Sequence, residues 1–256
     1  MLKLVLGGSG SGKTSWLYAQ LARRAAQKES SILLVPEQFT SSTEGRIYRE
    51  LGDEGSGFVE SFSFTSLAER ILSEEGGAAI RTLTDAGRVT LVRRVLEELQ
   101  DNVKFYYRHR RSAAFCQLAA ETIDELKSAG VTGAEFARLA EGCGPESARL
   151  AEIALIYEGY ETLLAQTGMD PSDRIELAAA RLEGALAEGR VPAFLAGRAV
   201  YIDEFDTFNA PKQRLMGAML AALPEVTVAL CDDGAPAAPD GLGLFSGAKA
   251  VGARLR

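Results

Sequence analysis

Short apolar runs and longer helical patterns take turns at both ends of the chain, and a purely helical pattern fills the middle. Leu2 to Leu6 is an apolar run that opens the chain, and 14–26 carries helix formers with apolar residues at helical spacing. Residues 32–36 form a bounded apolar run, read as a second strand, with the polar stretch 37–42 following its C-terminal end. Residues 58–64 alternate with period two, as a half-buried strand does, and Thr65 or Ser66 is placed to cap a helix beginning at Leu67. From Thr84 the period changes. Thr84 or Asp85 caps an amphipathic stretch to Leu99, and helical patterns cover 113–128, 134–141, 146–166 and 172–188, with no strand signal over about 100 residues. Strand character returns at 199–203, a helix is predicted near 211–223, and 226–230 is a further strand. Strands alternating with helices imply a parallel sheet, and the helical block reads as an insertion into that alternation. The expected architecture is therefore α/β: a sheet domain split over 1–83 and 197–256, with a helical subdomain at 84–196.

The turn after the first run carries the chemistry. Residues 7–14 read GGSGSGKT, a complete G-x-x-x-x-G-K-[ST] loop between a strand and a helix. Gly7, Gly8, Ser9, Gly10, Ser11 and Gly12 let the backbone wrap with its N–H groups inward, which cradles nucleotide phosphates. Lys13 brings a point charge to the β/γ-phosphates, and the Thr14 hydroxyl is a Mg²⁺ ligand. Such a loop needs an acid at the end of a neighbouring strand. The string VYIDEF at 200–205 supplies Asp203 for Mg²⁺ and Glu204 as a candidate general base. A strand that merely ends in solvated acids is the bland alternative, and the loop upstream argues against it.

Composition narrows the picture. With 256 residues, 46% of them hydrophobic, the chain can bury a sizeable core. A net charge of -7 argues against general coating of nucleic acid and leaves room for a local basic site. Cys116, Cys143 and Cys231 are widely spaced and odd in number, and His109 is the sole histidine, so neither a zinc site nor a disulfide framework is encoded. That usage suits a reducing cytoplasm. No stretch approaches the ~20 apolar residues of a membrane span, and no signal peptide or internal repeat is readable. The Gly-, Ala- and Pro-rich tail after Asp232 suggests an excised fragment.

A helical insertion between a phosphate loop and its acid strand is what superfamily 1 helicases of the UvrD/Rep type carry in their first RecA-like domain. More narrowly, the chain resembles the N-terminal region of the B subunit of the ATP-dependent helicase/deoxyribonuclease, the AddB family. The resemblance rests on the loop at 7–14, LLVPEQFT at 33–40, FSFTSLA at 62–68, TDAGR at 84–88, IYEGY at 156–160 and VYIDEF at 200–205. These strings span nearly the whole chain in the family's order. The resemblance implies a RecA-like fold, ATP and Mg²⁺ as cofactors, and a heterodimer with a helicase–nuclease A subunit that carries the motor. By the same resemblance, the pair is expected to process double-strand DNA breaks for recombination and this part to scan single-stranded DNA. The family's nuclease domain, with its metal and its iron–sulfur cysteines, is expected far downstream. Where the family pattern often has glycine after the strand aspartate, this chain has Glu204.

The resemblance also points Gln38, Phe39, Thr40 and Ser41 at DNA, since they follow a strand's C-terminal end where ligands gather in open sheets, and Phe64 and Thr65 from the next strand. A separate segment, 104–111, interleaves Phe105, Tyr106 and Tyr107 with Lys104, Arg108, Arg110 and Arg111. It reads either as a stacking and phosphate-contacting patch or as a solvated helix start with Phe105 and Tyr106 in the core. Two other functions stand beside DNA scanning: an active DNA translocase, and a small-molecule kinase with the helical block as its lid.

Overall fold

The computed structural model describes residues 1–235, 243 and 245–255; the predicted tail therefore falls partly outside the described residues. The elements run β1 (Leu2–Gly7), α1 (Lys13–Ala26), β2 (Ser31–Leu34), a 3₁₀ turn at Glu37–Phe39, α2 (Thr40–Ser56), β3 (Val59–Phe62) and α3 (Phe64–Glu75). Then come α4 (Asp85–Glu98), a 3₁₀ turn at Tyr107–His109, α5 (Ala113–Ser128), α6 (Gly133–Glu141), α7 (Ser147–Thr167) and α8 (Pro171–Ala187). The chain closes with β4 (Ala199–Ile202), α9 (Ala210–Ala222), β5 (Glu225–Cys231) and α10 (Ser246–Leu255). The five strands make one sheet in the order β1-β5-β4-β2-β3, every pairing parallel. This is the α/β fold that the alternation predicts.

Period two sorts the strand residues onto two faces. Leu33, Val35, Ala199, Tyr201 and Ala229 pack with Leu17, Tyr18 and Leu21 of α1 and Ile47 of α2. Their neighbours Ile32, Leu34, Val200, Ile202, Val226, Val228 and Leu230 face the other way. They pack with Leu67 and Ile71 of α3, Leu182 of α8, Met219 of α9 and Val251 of α10. Both faces are covered, which is why the central β4 is buried at all four positions and reads as a continuous apolar run. Crossovers are right-handed, so the step from β1 out to β2 lays α1 on one face. The return from β4 to β5 lays α9 on the other.

Two compact units result: residues 1–77, 175–208 and 212–256 around the sheet, and residues 78–174 with 209–211 around the helices. The sequence pattern extends the helical block to 196. In the structure, however, Ile175, Ala178, Leu182, Phe194 and Leu195 lie in the core of the sheet unit. The second unit has its own core, with Val92, Val95 and Leu96 of α4, Cys116 and Ile123 of α5, and Tyr157 and Tyr160 of α7. A Cβ at position 159 would stand 2.8 Å from Val95 Cγ1, so Gly159 permits the close approach of α7 to α4. Buried here too is Asp170, fully enclosed, taking the Tyr160 hydroxyl at 2.7 Å and Lys127 Nζ at 3.1 Å.

Local signals hold at several helix starts. Thr84 caps α4 by accepting from Gly87 N–H at 3.2 Å, Ser112 caps α5, and Thr132 and Glu135 form a reciprocal capping box on α6. Two expectations change. The cap of α3 is Ser63 rather than Thr65 or Ser66, because the Ser66 hydroxyl reaches back to Ser63 N–H at 2.9 Å and starts the helix at Phe64. And α2 occupies a stretch whose sequence signals only polarity. Its helix propensity is low, and buried Ile47 holds it to the sheet.

Candidate nucleotide site

The end of β1 turns through 8–12 into α1. Gly10 at φ 72° and Gly12 at φ 90° occupy the left-handed region, which glycine enters without the clash a Cβ brings. At Gly7 the obstacle is a neighbour, since a Cβ would meet Ser11 Oγ at 2.6 Å. No side chain caps α1, so its first backbone N–H groups face the loop without a competing side-chain acceptor. Lys13 folds back across the turn and donates to the Gly7 carbonyl at 2.9 Å and the Gly8 carbonyl at 2.8 Å. An ammonium has three protons, so one remains after those two bonds. The Gly7 carbonyl also accepts from Asp232 N–H at 3.0 Å, which ties the end of β5 to the loop.

Asp203 follows β4, two strands away from β1 with β5 between them. Its N–H donates to the Leu34 carbonyl at 3.0 Å, so the ladder with β2 fixes where the carboxylate starts. It is buried, and burial pushes its carboxyl above the usual range. A hydrogen bond from Thr14, the Glu204 N–H, and the charges of Lys13 and Arg46 pull the other way. Thr14 and Asp203, separated by 189 positions, thus come close enough for the hydroxyl to bear on the carboxyl. Glu204 has φ 65°, again in the left-handed region that glycine enters most readily. Burial first, and the Asp203 charge second, raise the Glu204 carboxyl, while Arg46 opposes them.

Two residues outside every motif border this pair. Tyr18 lies one helical turn beyond Thr14 on α1, and burial pushes its phenol up to about 12. Arg46 of α2 stacks over its ring with Cζ 4.3 Å from the centroid. The i, i+4 step from Thr14 is a sequence signal for Tyr18. Arg46 has none, because nothing local marks α2 as a helix.

The other predicted positions divide. Gln38 and Phe39 are exposed in the 3₁₀ turn after β2, with Phe39 39% exposed, and half-buried Thr40 and exposed Ser41 begin α2. Thr65 is half-buried in the first turn of α3, after the adjacent β3. Phe64 belongs to the core: it is 2% exposed and packs edge-on against Phe205 at 5.3 Å and Phe208 at 5.8 Å, so its ring is closed to a base. Tyr107, Arg108, Arg110 and Arg111 lie in the helical unit, with Arg108 and Arg111 exposed. A 3₁₀ turn at Tyr107–His109 is the helical structure of this segment, the α-helix that follows starts at Ala113, and Phe105 is 46% exposed. The three cysteines are free. No helix among the described residues is long and apolar enough to cross a membrane.

A doubly wound parallel sheet with a glycine-rich loop at the end of one strand and a buried aspartate at the end of another defines the class: an α/β protein with the phosphate-loop sequence motif. The chain belongs to the AddB N-terminal family, whose family model, "ADDB, N-terminal", matches residues 4–256. It is 34% identical over 242 residues to the B subunit of the ATP-dependent helicase/deoxyribonuclease of Moorella thermoacetica, covering 91% of this chain and 20% of that one. The B subunit of the same name from Desulforamulus reducens is 31% identical over 240 residues, with 91% and 20% covered. That of Acetivibrio thermocellus is 27% identical over 237 residues, again with 91% and 20% covered. The chain thus spans about a fifth of the length of the curated relatives it matches.

Proposed function

We propose that this chain is the ATP- and Mg²⁺-binding, helicase-like N-terminal part of the B subunit of a helicase–nuclease that processes double-strand DNA breaks for recombinational repair. It serves there as a DNA-scanning module beside an A subunit that carries the motor. The observation that carries the nucleotide half is a lysine folded over its own glycine-rich loop, with a buried aspartate, Asp203, at the end of β4. The donor set fits Mg²⁺, which takes hard oxygen ligands such as a hydroxyl and a carboxylate, often through water. When bound, Mg²⁺ supplies positive charge that neutralises the phosphates. Lys13 binds the β/γ-phosphates, the N–H groups of 8–14 orient them, and Thr14 and Asp203 hold the cation. Glu204 holds a proton at its carboxylate when it acts as a base. The DNA half rests on family membership and on the relatives' name, with Gln38, Phe39, Thr40, Ser41 and Thr65 as contacts at the C-terminal ends of β2 and β3.

A second reading, an active translocase, is favoured by Glu204 alone, since its raised carboxyl suits a general base. Calorimetric titration with Mg²⁺ and a non-hydrolysable ATP analogue tests the first reading. Wild type binds, and Lys13→Ala loses the main phosphate counter-charge and with it the binding, while its unfolding curve stays unchanged. Equal affinities would sink the assignment.

A further inference from the structure

Glu152 is a buried carboxylate with an unusual set of partners. It lies on α7, is 6% exposed, and accepts from three consecutive backbone N–H groups. Lys104 donates at 2.7 Å, Phe105 at 3.0 and 2.9 Å to the two oxygens, and Tyr106 at 3.2 Å. Three successive N–H groups aimed at one anion form a nest, and a nest dictates the backbone path. The side chains take up the consequence. Lys104 and Phe105 are exposed, while Tyr106 is half-buried and stacks on Phe115 at 5.3 Å. The next turn is also built: Arg110 stacks on Tyr107 at 3.9 Å, and the Ser112 N–H closes on the His109 carbonyl at 2.8 Å.

The cations of this segment differ from others on the surface. Arg93, Arg94 and Arg190 are each paired with a carboxylate. Arg108 instead donates to His109 Nε2 at 3.1 Å and Arg110 to the Tyr107 carbonyl at 3.2 Å, so their positive charge is not matched by an acid at the bond. Four cations and an exposed aromatic ring on a rigid turn, in a chain of net charge -7, suit a polyanion that also offers flat faces. A duplex hides its bases in the stack. We propose that Glu152 is a positioning residue that holds 104–111 as a preformed docking surface for single-stranded nucleic acid, with Phe105 as the stacking group. This deepens the DNA-scanning reading above and rests on it.

The test uses the sign of a charge effect. Glu152→Gln removes a negative charge from beneath the basic segment, so electrostatics alone makes binding of a labelled single-stranded oligonucleotide tighter. The nest requires the opposite, because the amide NH₂ faces donors and the turn loosens. Expected are about tenfold weaker binding, the scale of one lost stacking contact, and faster amide exchange at 104–106 with α4 unchanged. Asp101→Asn, an exposed neighbour, is the control and tightens binding slightly. Phe105→Ala, at the surface and safe for the fold, weakens binding while leaving its salt dependence alone. Tighter or equal binding by Glu152→Gln overturns the proposal, as does a wild-type preference for duplex or for an acidic peptide. Nucleotide titration of the same samples keeps the two readings apart, since wild type that binds the oligonucleotide but no nucleotide fails the nucleotide assignment only.

Discussion

The backbone N–H of Glu204 donates to Asp203 Oδ1 at 2.9 Å, and it does so from a left-handed conformation at φ 65°. The same turn therefore steadies one carboxylate and strains the residue carrying the next. For a residue with a Cβ that region costs about 1–2 kcal/mol, against about 0.5–1 kcal/mol of extra chain entropy that glycine loses on folding. Glu204→Gly should accordingly be about 0.5–1 kcal/mol more stable than Glu204→Ala in urea unfolding. An alanine variant as stable as the glycine variant would show that the strain is no larger than glycine's entropy cost.

The same residue separates the scaffold from the motor. General-base loss costs about 10²–10⁴ in rate with ATP affinity preserved. In a reconstituted pair whose partner has lost its own phosphate-loop lysine, an active second motor leaves DNA-stimulated hydrolysis that Glu204→Gln removes. A nucleotide-binding scaffold leaves none, and that is the outcome expected.

Asp203 ties stability to pH. Its carboxyl is held up by burial, so the folded chain binds this proton more tightly than the unfolded chain does. The stabilising contribution is full below the unfolded pKa and is lost as pH rises through the folded value. At neutral pH without metal, Asp203→Asn should therefore melt higher than wild type while losing Mg²⁺-dependent nucleotide binding. Arg46 opposes the rise at both Asp203 and Glu204. Arg46→Gln should move the acid limit of Mg²⁺ binding to higher pH, measured by titration calorimetry across mildly acidic buffers. A lower-melting Asp203→Asn would contradict the burial account.

In the helical unit Asp170 faces Lys127 at 3.1 Å, Arg88 at 3.5 Å and the Tyr160 hydroxyl at 2.7 Å, all from one enclosed position. Asp170→Ala removes the enclosed carboxylate and leaves the Tyr160 hydroxyl without its acceptor, while Lys127 keeps Asp173 at 2.9 Å and Arg88 keeps Asp124 at 3.3 Å, so it should cost about 1–3 kcal/mol. Tyr160→Phe, which removes one hydrogen bond to a charged group, should cost about 1.5–3 kcal/mol. Chemical unfolding followed in this unit checks both, and a near-neutral Asp170→Ala would mean that water replaces the lost carboxylate.

Arg108, Arg110 and Arg111 carry the electrostatic share of oligonucleotide binding if the basic turn is a docking surface. Each phosphate neutralised on a single strand contributes about -0.7 to the slope of log K against log salt. Replacing all three with glutamine should flatten that slope by about two units. An unchanged slope removes this segment from the binding surface.

What the sequence by itself determined is whatever is written over a few consecutive residues. The loop at 7–14 is legible because its physics is local: glycines at φ 72° and 90°, then a lysine and a hydroxyl at the helix start. The cap at Thr84 and the period-two sorting of Ile32 from Leu33 are legible for the same reason. Tertiary structure decided the rest. The apolar runs announce strands without their order, and only packing places β5 between the phosphate-loop strand and the aspartate strand. Helix α2 has weak propensity of its own and forms because Ile47 is buried on the sheet, which is what brings Arg46 over Tyr18. Phe64 reads as one end of an alternating strand, yet it closes the core against Phe205 and Phe208. Glu152 stands 48 positions from the N–H of Lys104, and no periodicity links a helix residue to the backbone of a distant turn. Side-chain-to-backbone contacts at that range are decided only when the helices pack, because the hydrogen bond has no counterpart in the spacing of either segment.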